Sequence, residues 1–432
     1  MILFCVLSVN AQESLTRQQY RELVLEYSQI LRQAKENTLA SKAGEKIAFK
    51  GYLPKIDIQG DGNINLKYLD SWKGDGPGVY NVGTAENPTI TYLPGTYHNY
   101  TFSANVVLSQ VIYAGGAISG NENMAKADYK LSELSEELTV DQINYQADAI
   151  YWNAAAAKGM LDAASEYREI IKKQYDVIEQ RFNDGMISRS DLLMIATRMQ
   201  EAELQHIKAN QNYQLAFQQL NILCGKDPKT SPETLCPIGA VCEGIHRMDL
   251  QQVLDRRADY QIADVNIEKI RATRKAAMSK YNPQLAAYLA AGYGTATPHM
   301  GADISFNPVV GVNLNIPILR WGERGQTSRQ QKAYENIQNL QKSYVRDNIN
   351  QELTGALTKV DESEKMVTTA KTNMDFAQEN LDLITFSYNE GKASIVEVLS
   401  AQLSWTQANT NMINAYLANK MSVAEYRKTI SE

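Results

Sequence analysis

The stretch RFNDGMISRSDLL, at residues 181–193, interrupts a long segment whose apolar residues otherwise follow a helical spacing. A second copy, SYNEGKASIVEVL, occupies 387–399, which is 206 residues further along the chain. Each copy holds a glycine, then a serine, then an acidic residue. Glycine supplies the positive φ that a sharp reversal requires. The two stretches therefore predict two helical hairpins with turns at 183–187 and 389–393.

The prolines separate the helical segments from the others. All 11 lie within 54–94, 228–237 or 283–317, and proline breaks a helix because it lacks an amide hydrogen. In the remaining segments a three-four spacing of apolar residues continues for many turns, as in coiled-coil packing. The pattern predicts long helices at 117–182 and 323–388, followed by helices at 188–223 and 394–428. A helix over 15–50 is also predicted. Stacked end to end, the helices at 15–50 and 188–223 would together be as long as the helix at 117–182.

Alternating apolar and polar residues predict four strands, because a period of two is typical of a strand. In the first, Ile56 and Ile58 lie on one face and Asp57 and Gln59 on the other. The four strands are predicted near 54–68, 99–113, 283–296 and 303–319. Each is long enough to cross a bilayer obliquely, and tyrosines flank the runs. The alternating pattern alone fits a soluble antiparallel sheet with one solvent-exposed face equally well.

The two halves of the chain form an internal two-fold repeat. The YLPKI at 52–56 matches YNPQL at 281–285, and from 111 to 193 the offset of 206 continues without a gap. We therefore divide the chain into a first repeat at 12–223, a linker at 224–245 and a second repeat at 246–432. Each repeat is predicted to run helix, strand, loop, strand, long helix, turn, helix.

Composition excludes several classes of protein. The 43 Lys and Arg against 49 Asp and Glu give a net charge of −6, which argues against a nucleic-acid partner. No run approaches the roughly 18 to 20 apolar residues of a membrane-spanning helix, so a helical membrane protein is not predicted. Residues 1–11, MILFCVLSVNA, resemble a secretory signal peptide without its basic start, and an ordinary apolar tail is the alternative.

The sequence predicts neither an enzyme nor a metal or cofactor site. After removal of 1–11, three cysteines remain, Cys224, Cys236 and Cys242, which allow one disulfide and one free thiol in a pairing that is left open. Their spacing fits no zinc pattern, and the four histidines are scattered. No catalytic grouping has motif support.

Four strands are too few to close a barrel, since about eight are needed and an unpaired edge is not viable in lipid. If the strands lie in a membrane, the chain must oligomerise. A dimer, trimer or tetramer would supply 8, 12 or 16 strands.

Over essentially its whole mature length the sequence resembles the TolC-like outer-membrane efflux proteins. The resemblance rests on the duplicated aromatic-x-x-Gly turn, the YLP before the first strand, the LNILCG that ends a helix and the RADY that opens the second repeat. It implies a homotrimer with a 12-stranded β-barrel in the outer membrane, continued by an α-barrel of long antiparallel helical hairpins in the periplasm. It also implies that the channel passively conducts drugs and other small molecules, delivered by a periplasmic adaptor and an inner-membrane pump of the resistance-nodulation-division or ABC type.

Three alternatives stay open at this stage. The same channel could serve type I protein secretion or metal-ion efflux. A periplasmic coiled-coil scaffold without a pore is a third possibility, which the alternating strands and flanking tyrosines disfavour.

The resemblance assigns roles to the turns. It implies that they lie at the periplasmic end and dock an adaptor hairpin; the alternative is that these residues are simply good turn formers. The residues concerned are Asn183, Gly185, Ser188, Asn389, Gly391 and Ser394.

The resemblance further implies a gate beside the turns. Tyr388 matches the family's gate tyrosine, Asp191 matches its aspartate partner, and Ser190 matches an adjacent hydroxyl residue. The family's locking arginine falls on Ala393, so that link is absent unless Lys392 replaces it.

Two acidic ring positions of the family complete this assignment. One matches Glu397 and the other is Ser400. Three copies of Glu397 around one axis would favour cations.

Overall fold

The structure is a computed structural model that describes residues 15–64, 78–81, 90–93, 100–230, 234–239, 244–295 and 304–432. The predicted signal peptide at 1–11 and Cys242 lie outside these residues. The chain divides into two compact units. The first unit comprises Met1–Thr38, Ser132–Asp264 and Gln341–Glu432, and the second comprises Leu39–Leu131 and Val265–Leu340.

The chain is mainly helical. Its helices are α1 (Arg17–Tyr27), α2 (Gln29–Phe49), α3 (Ala117–Asn183), α4 (Arg189–Leu223), α5 (Leu250–Arg256), α6 (Ala258–Met278), α7 (Glu323–Asn389) and α8 (Ile395–Thr429). The helices α3 and α7 each have 67 residues, and α4 and α8 each have 35. Within the described part of the chain, no helix is both long and apolar enough to cross a membrane.

The single helix predicted over 15–50 is wrong, because Ser28 divides it. The backbone of Ser28 has φ −53 and ψ 116, which ends α1, although its amide still donates to the Val24 carbonyl at 2.9 Å. The Ser28 hydroxyl then accepts a hydrogen bond from the Leu31 amide at 3.2 Å. This is how a serine caps a helix N-terminus, so one residue ends α1 and starts α2. Arg257 lies between α5 and α6, and its backbone, with φ −66 and ψ 117, ends α5.

Each long helix forms an antiparallel hairpin with the helix that follows it. Arg168 Nη1 of α3 lies 3.1 Å from His206 Nδ1 of α4, and the two residues lie at similar distances along the chain on either side of the turn. In the second hairpin, Trp405 Nε1 donates to Gln378 Oε1 at 2.5 Å. Further from the turn, Asn419 Nδ2 donates to Ser363 Oγ at 3.1 Å. Contacts that pair residues symmetrically about a turn define an antiparallel pair.

The core of the first unit contains buried tyrosines with satisfied hydroxyls. The Tyr20 hydroxyl donates to the Leu220 carbonyl at 3.1 Å, and the Tyr151 hydroxyl donates to the Leu15 carbonyl at 2.7 Å. Both side chains are fully buried, and burial raises the pKa of each hydroxyl. These bonds join α1 and α3 to segments distant in sequence, because a buried hydroxyl must find a partner.

The second unit contains an antiparallel sheet. Its strands are β1 (Lys55–Ile64), β4 (Tyr100–Ala114), β5 (Gln284–Thr295), β6 (Ile304–Phe306) and β7 (Val309–Asn315). The order is β1-β4-β5, and both β6 and β7 pair with β5. Two short strands, β2 (Gly78–Asn81) and β3 (Ile90–Leu93), pair with each other in a separate sheet.

The fourth strand, predicted as continuous over 303–319, is wrong in extent. It consists of β6 and β7, which Asn307 and Pro308 separate, and it ends at Asn315. Proline cannot donate a hydrogen bond to a neighbouring strand. Pro308 therefore interrupts the pairing, and Pro317 follows its end.

One face of the sheet is apolar and exposed in the single chain. Across the strands, Ile58 pairs with Val106, Leu108 with Leu289, and Leu289 with Val310. All five side chains are exposed, with Ile58 at 83% and Val310 at 78%. A contiguous apolar face of this kind marks a surface that contacts a membrane or another protein.

Candidate functional site at the hairpin turns

The first hairpin turn closes through two backbone hydrogen bonds at the end of α3. The Gly185 amide donates to the Phe182 carbonyl at 2.9 Å, and the Met186 amide donates to the Arg181 carbonyl at 2.9 Å. These two bonds form a Schellman motif, in which the residue just after the helix end has a positive φ. Gly185 supplies it with φ +75, and a Cβ placed there would meet nothing within 4 Å.

The second turn has the same construction at the end of α7. The Gly391 amide donates to the Tyr388 carbonyl at 3.0 Å, and the Lys392 amide donates to the Ser387 carbonyl at 2.8 Å. Gly391 has φ +71 and also has open space around it. Both turns therefore have one backbone geometry, and glycine is needed in each for its conformation rather than its size.

A capping box follows each turn and starts the next helix. Ser188 Oγ accepts from the Asp191 amide at 3.2 Å, and Asp191 Oδ2 accepts from the Ser188 amide at 3.3 Å. In the second turn, Ser394 Oγ accepts from the Glu397 amide at 3.3 Å, and Glu397 Oε2 accepts from the Ser394 amide at 2.6 Å. The reciprocal bonds satisfy amides that a helix start leaves unpaired. The serine and the acidic residue that both copies of the stretch contain therefore have a local structural role, which is to cap the helix that follows the turn.

The predicted docking residues lie at the surface. Asn183 and Asn389 are the last residues of α3 and α7, and both are exposed. The two turn glycines and the two capping serines are exposed as well. Met186, which follows the first glycine, has an exposed fraction of 73%.

Behind the turns lies an apolar core that fixes their position. It includes Ile178 of α3, Ile195 of α4, Leu381 of α7 and Trp405 of α8. Tyr388 packs partly buried against this core. All four helices therefore meet beneath the turns, and the two hairpins pack on each other within the first unit.

The predicted gate pair does not bond within the chain. Asp191 accepts its hydrogen bonds from Ser188, including one from the serine hydroxyl at 2.9 Å. The Tyr388 ring instead lies under the Arg181 guanidinium, 5.1 Å from carbon to ring centroid. Ser190 is exposed and its hydroxyl makes no hydrogen bond among the described residues.

The predicted ring positions differ in their chemistry. Hydrogen bonds from the Ser394 amide, and then from its hydroxyl, lower the pKa of Glu397. Glu397 is therefore an ionised, exposed carboxylate that also caps α8. Ser400 is exposed one turn further along α8 and carries no charge.

Comparison with known proteins identifies the family of this chain. The model of the outer membrane efflux protein family matches residues 20–226 and 250–428, which include both hairpins. The chain belongs to the outer membrane efflux protein family. It is therefore an outer-membrane protein of the efflux-channel class, with a large helical part in the periplasm, as the sequence resemblance predicted.

Individual relatives agree with this assignment. The outer membrane protein TolC of Escherichia coli (strain K12) is 22% identical over 394 residues, covering 81% of this chain and 77% of TolC. Among solved structures, the CmeC outer membrane channel of Campylobacter jejuni has a TM-score of 0.76 at 18% identity, over 96% of this chain and 85% of CmeC. A membrane protein from Pseudomonas aeruginosa has a TM-score of 0.77 at 15% identity, over 96% of this chain and 90% of that protein. These structures share the fold.

Three side chains of this outer membrane efflux protein were missed by sequence reasoning. Arg181 contacts Tyr388, and Gln402 Nε2 donates to Gln174 Oε1, so both contacts join the first hairpin to the second. Arg181 is the first residue of the stretch 181–193. The signal in the sequence that could have identified it was a positive charge next to an aromatic residue. Gln174 and Gln402 carry no motif. The described ranges also contain no group of three metal-ligating side chains, and the Cys224 and Cys236 thiols are both free.

Proposed function

We propose that this chain is the outer-membrane exit duct of a tripartite efflux pump. Three copies would assemble so that four strand positions per chain form a 12-stranded barrel and the helical hairpins form a periplasmic conduit. A periplasmic adaptor would dock on the exposed turns, and an inner-membrane pump would deliver drugs and other small molecules.

The observation that carries the proposal is the pair of equivalent exposed turns. Both are rigid, because a Schellman motif and a capping box leave few backbone groups of the turn unpaired. Rigid, exposed loops positioned by a packed scaffold are typical sites of partner binding. In a trimer they would give six equivalent backbone turns at one end.

The sheet supports assembly. Among the described residues, the edge strands β1 and β7 each pair on one side, which leaves edges that a membrane does not tolerate. The exposed apolar face spans β1, β4, β5 and β7 and suits lipid. Neighbouring copies would satisfy the edges. The equal lengths of α3 and α7, and of α4 and α8, support an internal repeat that makes the helical conduit regular.

The proposal is tested by changing the turns in the organism that encodes the protein. Gly185→Val and Gly391→Val place a β-branched residue at positive φ, which distorts each turn. Met186→Asp changes the exposed surface of the first turn without changing its backbone. We expect each variant to raise ethidium accumulation in cells that lack the native copy, while the oligomer of unboiled outer-membrane extracts persists.

The matched control is Gly355→Val. Gly355 lies within α7, is exposed, and a Cβ added to its backbone would meet nothing within 4 Å. It should leave ethidium accumulation unchanged. Normal accumulation in all three turn variants would contradict adaptor docking at the turns, and migration as a monomer under every mild condition would contradict the trimer.

A further inference from the structure

Inside the chain, the backbone that follows β4 packs directly on the backbone that follows α6. Gly115 is buried and has φ +64, and a Cβ added to it would clash with the Ser279 carbonyl oxygen. The Gly115 carbonyl accepts a hydrogen bond from Asn282 Nδ2 at 2.8 Å. We call this contact the internal junction, and it leaves no room for a side chain at Gly115.

The sequence repeat contains both sides of this junction a second time. By the two sequence matches of the repeat, Trp321 stands at the position of Gly115 and Leu53 at that of Asn282. Both side chains are exposed in the single chain, Trp321 at 89% and Leu53 at 50%. The single chain therefore buries one set of matched positions and leaves the other set uncovered.

Other matched positions show the same difference. Tyr281 is 6% exposed beside the internal junction, whereas its counterpart Tyr52 is 39% exposed. Gly120 is buried against the backbone of α6, whereas its counterpart Gln326 is exposed. The exposed counterparts follow α2 or β7, next to the two edges of the sheet. One chain cannot bring these edges together, because four strands are too few to close a barrel.

Trp321 differs from its glycine counterpart in a way that favours a protein contact. Its φ is +45, a value at which a side chain strains the backbone and glycine does not. Ile318 and Leu319 beside it are exposed, and so is Phe49 near the other edge. Large apolar side chains of this kind suit an interface, in which tryptophan is a common anchor. Protein covers the counterpart of Trp321 in the internal junction, so we assign this surface to a second copy.

We propose that neighbouring copies join through a second junction with the backbone geometry of the internal one, in which Trp321 of one copy packs on Leu53 of the next. This rests on the trimer of the proposed function and names the surface that holds it together. The contact is head-to-tail, because the two edges are different surfaces of the chain, and such contacts form a ring where the rotation closes. The internal junction pairs glycine with asparagine, whereas the second pairs tryptophan with leucine. A tryptophan in the internal junction would clash with Ser279, so the apolar pair is specific to the contact between copies.

The first test is disulfide cross-linking in outer-membrane extracts. Beside the internal junction Tyr113 pairs with Leu285, so the matched residues Leu319 and Ile56 should lie opposite each other across two copies. Residues paired on neighbouring strands have the Cα spacing of a disulfide. Leu319→Cys with Ile56→Cys should therefore give cross-linked chains on non-reducing gels. Leu319→Cys with Phe306→Cys, at the far end of the sheet, should give none, and neither should any single variant.

The second test measures how fast the oligomer releases monomer in detergent at a fixed temperature. Trp321→Gly relieves the backbone strain but removes the anchor, and loss of an interface anchor weakens binding about 30-fold, mainly through faster dissociation. We therefore expect release about 30-fold faster than in the wild type, whereas Trp321→Phe should stay within about threefold. Adding Leu53→Asn to Trp321→Gly recreates the residue pair of the internal junction and should recover most of the loss.

Two outcomes would overturn the second junction while leaving the trimer in place. One is unchanged release of monomer from Trp321→Gly, which would place the tryptophan in lipid. The other is absence of the cross-link between Leu319→Cys and Ile56→Cys in an oligomer that still forms. A double variant that dissociates as fast as Trp321→Gly would overturn the shared geometry of the two junctions. A wild type that is monomeric in every unboiled extract would instead overturn the proposed trimer itself.

Discussion

Removal of the Asp148 carboxylate should destabilise the protein strongly, because this charge is fully buried between two arginines. Asp148 Oδ1 accepts from Arg21 Nε at 2.7 Å, and Oδ2 accepts from Arg21 Nη2 at 2.6 Å and from Arg17 Nη1 at 3.1 Å. The side chain of Asp148 has no exposed surface, and those of Arg17 and Arg21 expose 21% and 17%. The three charges anchor α1 to α3.

The size of the destabilisation depends on the two arginines that would remain when the Asp148 carboxylate is removed. In Asp148→Ala the guanidiniums of Arg17 and Arg21 would both lose the carboxylate that lies between them, and burial already lowers the pKa of Arg17 while Asp148 opposes that shift. Loss of one partner of a buried ion pair costs about 3–5 kcal/mol. The unfolding entropy is about 2.1 cal/mol/K per residue, so for 432 residues this cost lowers the unfolding midpoint by about 3–5 °C.

The assay is thermal unfolding of the detergent-purified protein, followed by circular dichroism. Asp162→Asn is the matched control on the same helix, since Asp162 pairs with Lys158 but its side chain is 60% exposed. An exposed pair is worth less than about 1 kcal/mol, so the midpoint should fall by less than about 1 °C. Replacement of the whole triad, Asp148→Leu with Arg17→Met and Arg21→Met, should recover most of the loss. Equal shifts for Asp148→Ala and Asp162→Asn would show that the buried carboxylate stabilises the protein no more than an exposed one.

Two further outcomes are expected. Gly225→Ala should reduce the yield of folded protein, because Gly225 has φ +74 and a Cβ there would lie 2.3 Å from the Tyr27 ring. The control is Gly44→Ala, in open space within α2, which should leave the yield unchanged. Equal yields for the two variants would contradict the role of Gly225. The lowered pKa of Glu397 means that its capping contribution is present above the ordinary value of 4.5 and is lost as the pH falls through the folded-state value. The protection factor of the Ser394 amide, which corrects for the slower intrinsic exchange at low pH, should therefore fall below pH 4.5 in the wild type and not in Glu397→Gln, whose side-chain amide oxygen still accepts the capping bond. The same fall in both proteins would show that another group titrates.

The turns could be predicted from sequence because their chemistry is local. A Schellman motif and a capping box are both completed within a dozen residues, by a glycine, a serine and an acid at fixed spacing. The family followed from the same residues and their order, and it is confirmed by the family match. The break at Ser28 was missed because neither glycine nor proline marks it and the apolar spacing continues across it. Serine ends a helix only where its hydroxyl finds an amide to cap.

The side-chain contacts between the hairpins could not be predicted in this way. Whether Tyr388 meets Asp191 or Arg181 depends on how two hairpins pack and on which rotamers that packing allows. The resemblance supplied the first partner, and the structure shows the second. The bonds that Asp191 makes within the chain are local. Three residues after a capping serine, its Oδ2 accepts hydrogen bonds from the Ser188 amide and hydroxyl at the start of its own helix.

The two turns share a backbone but present different surfaces. The residues that fix the geometry are of the same kind in both, namely asparagine, glycine, serine and an acid. The exposed residue after each glycine differs, since Met186 is apolar and Lys392 is charged. In the proposed trimer, three apolar and three cationic turns would alternate around the axis. In that proposed trimer, a partner that contacted only the backbone would find six equal sites, whereas one that contacted side chains would find two sets of three, which differ at Met186 and Lys392.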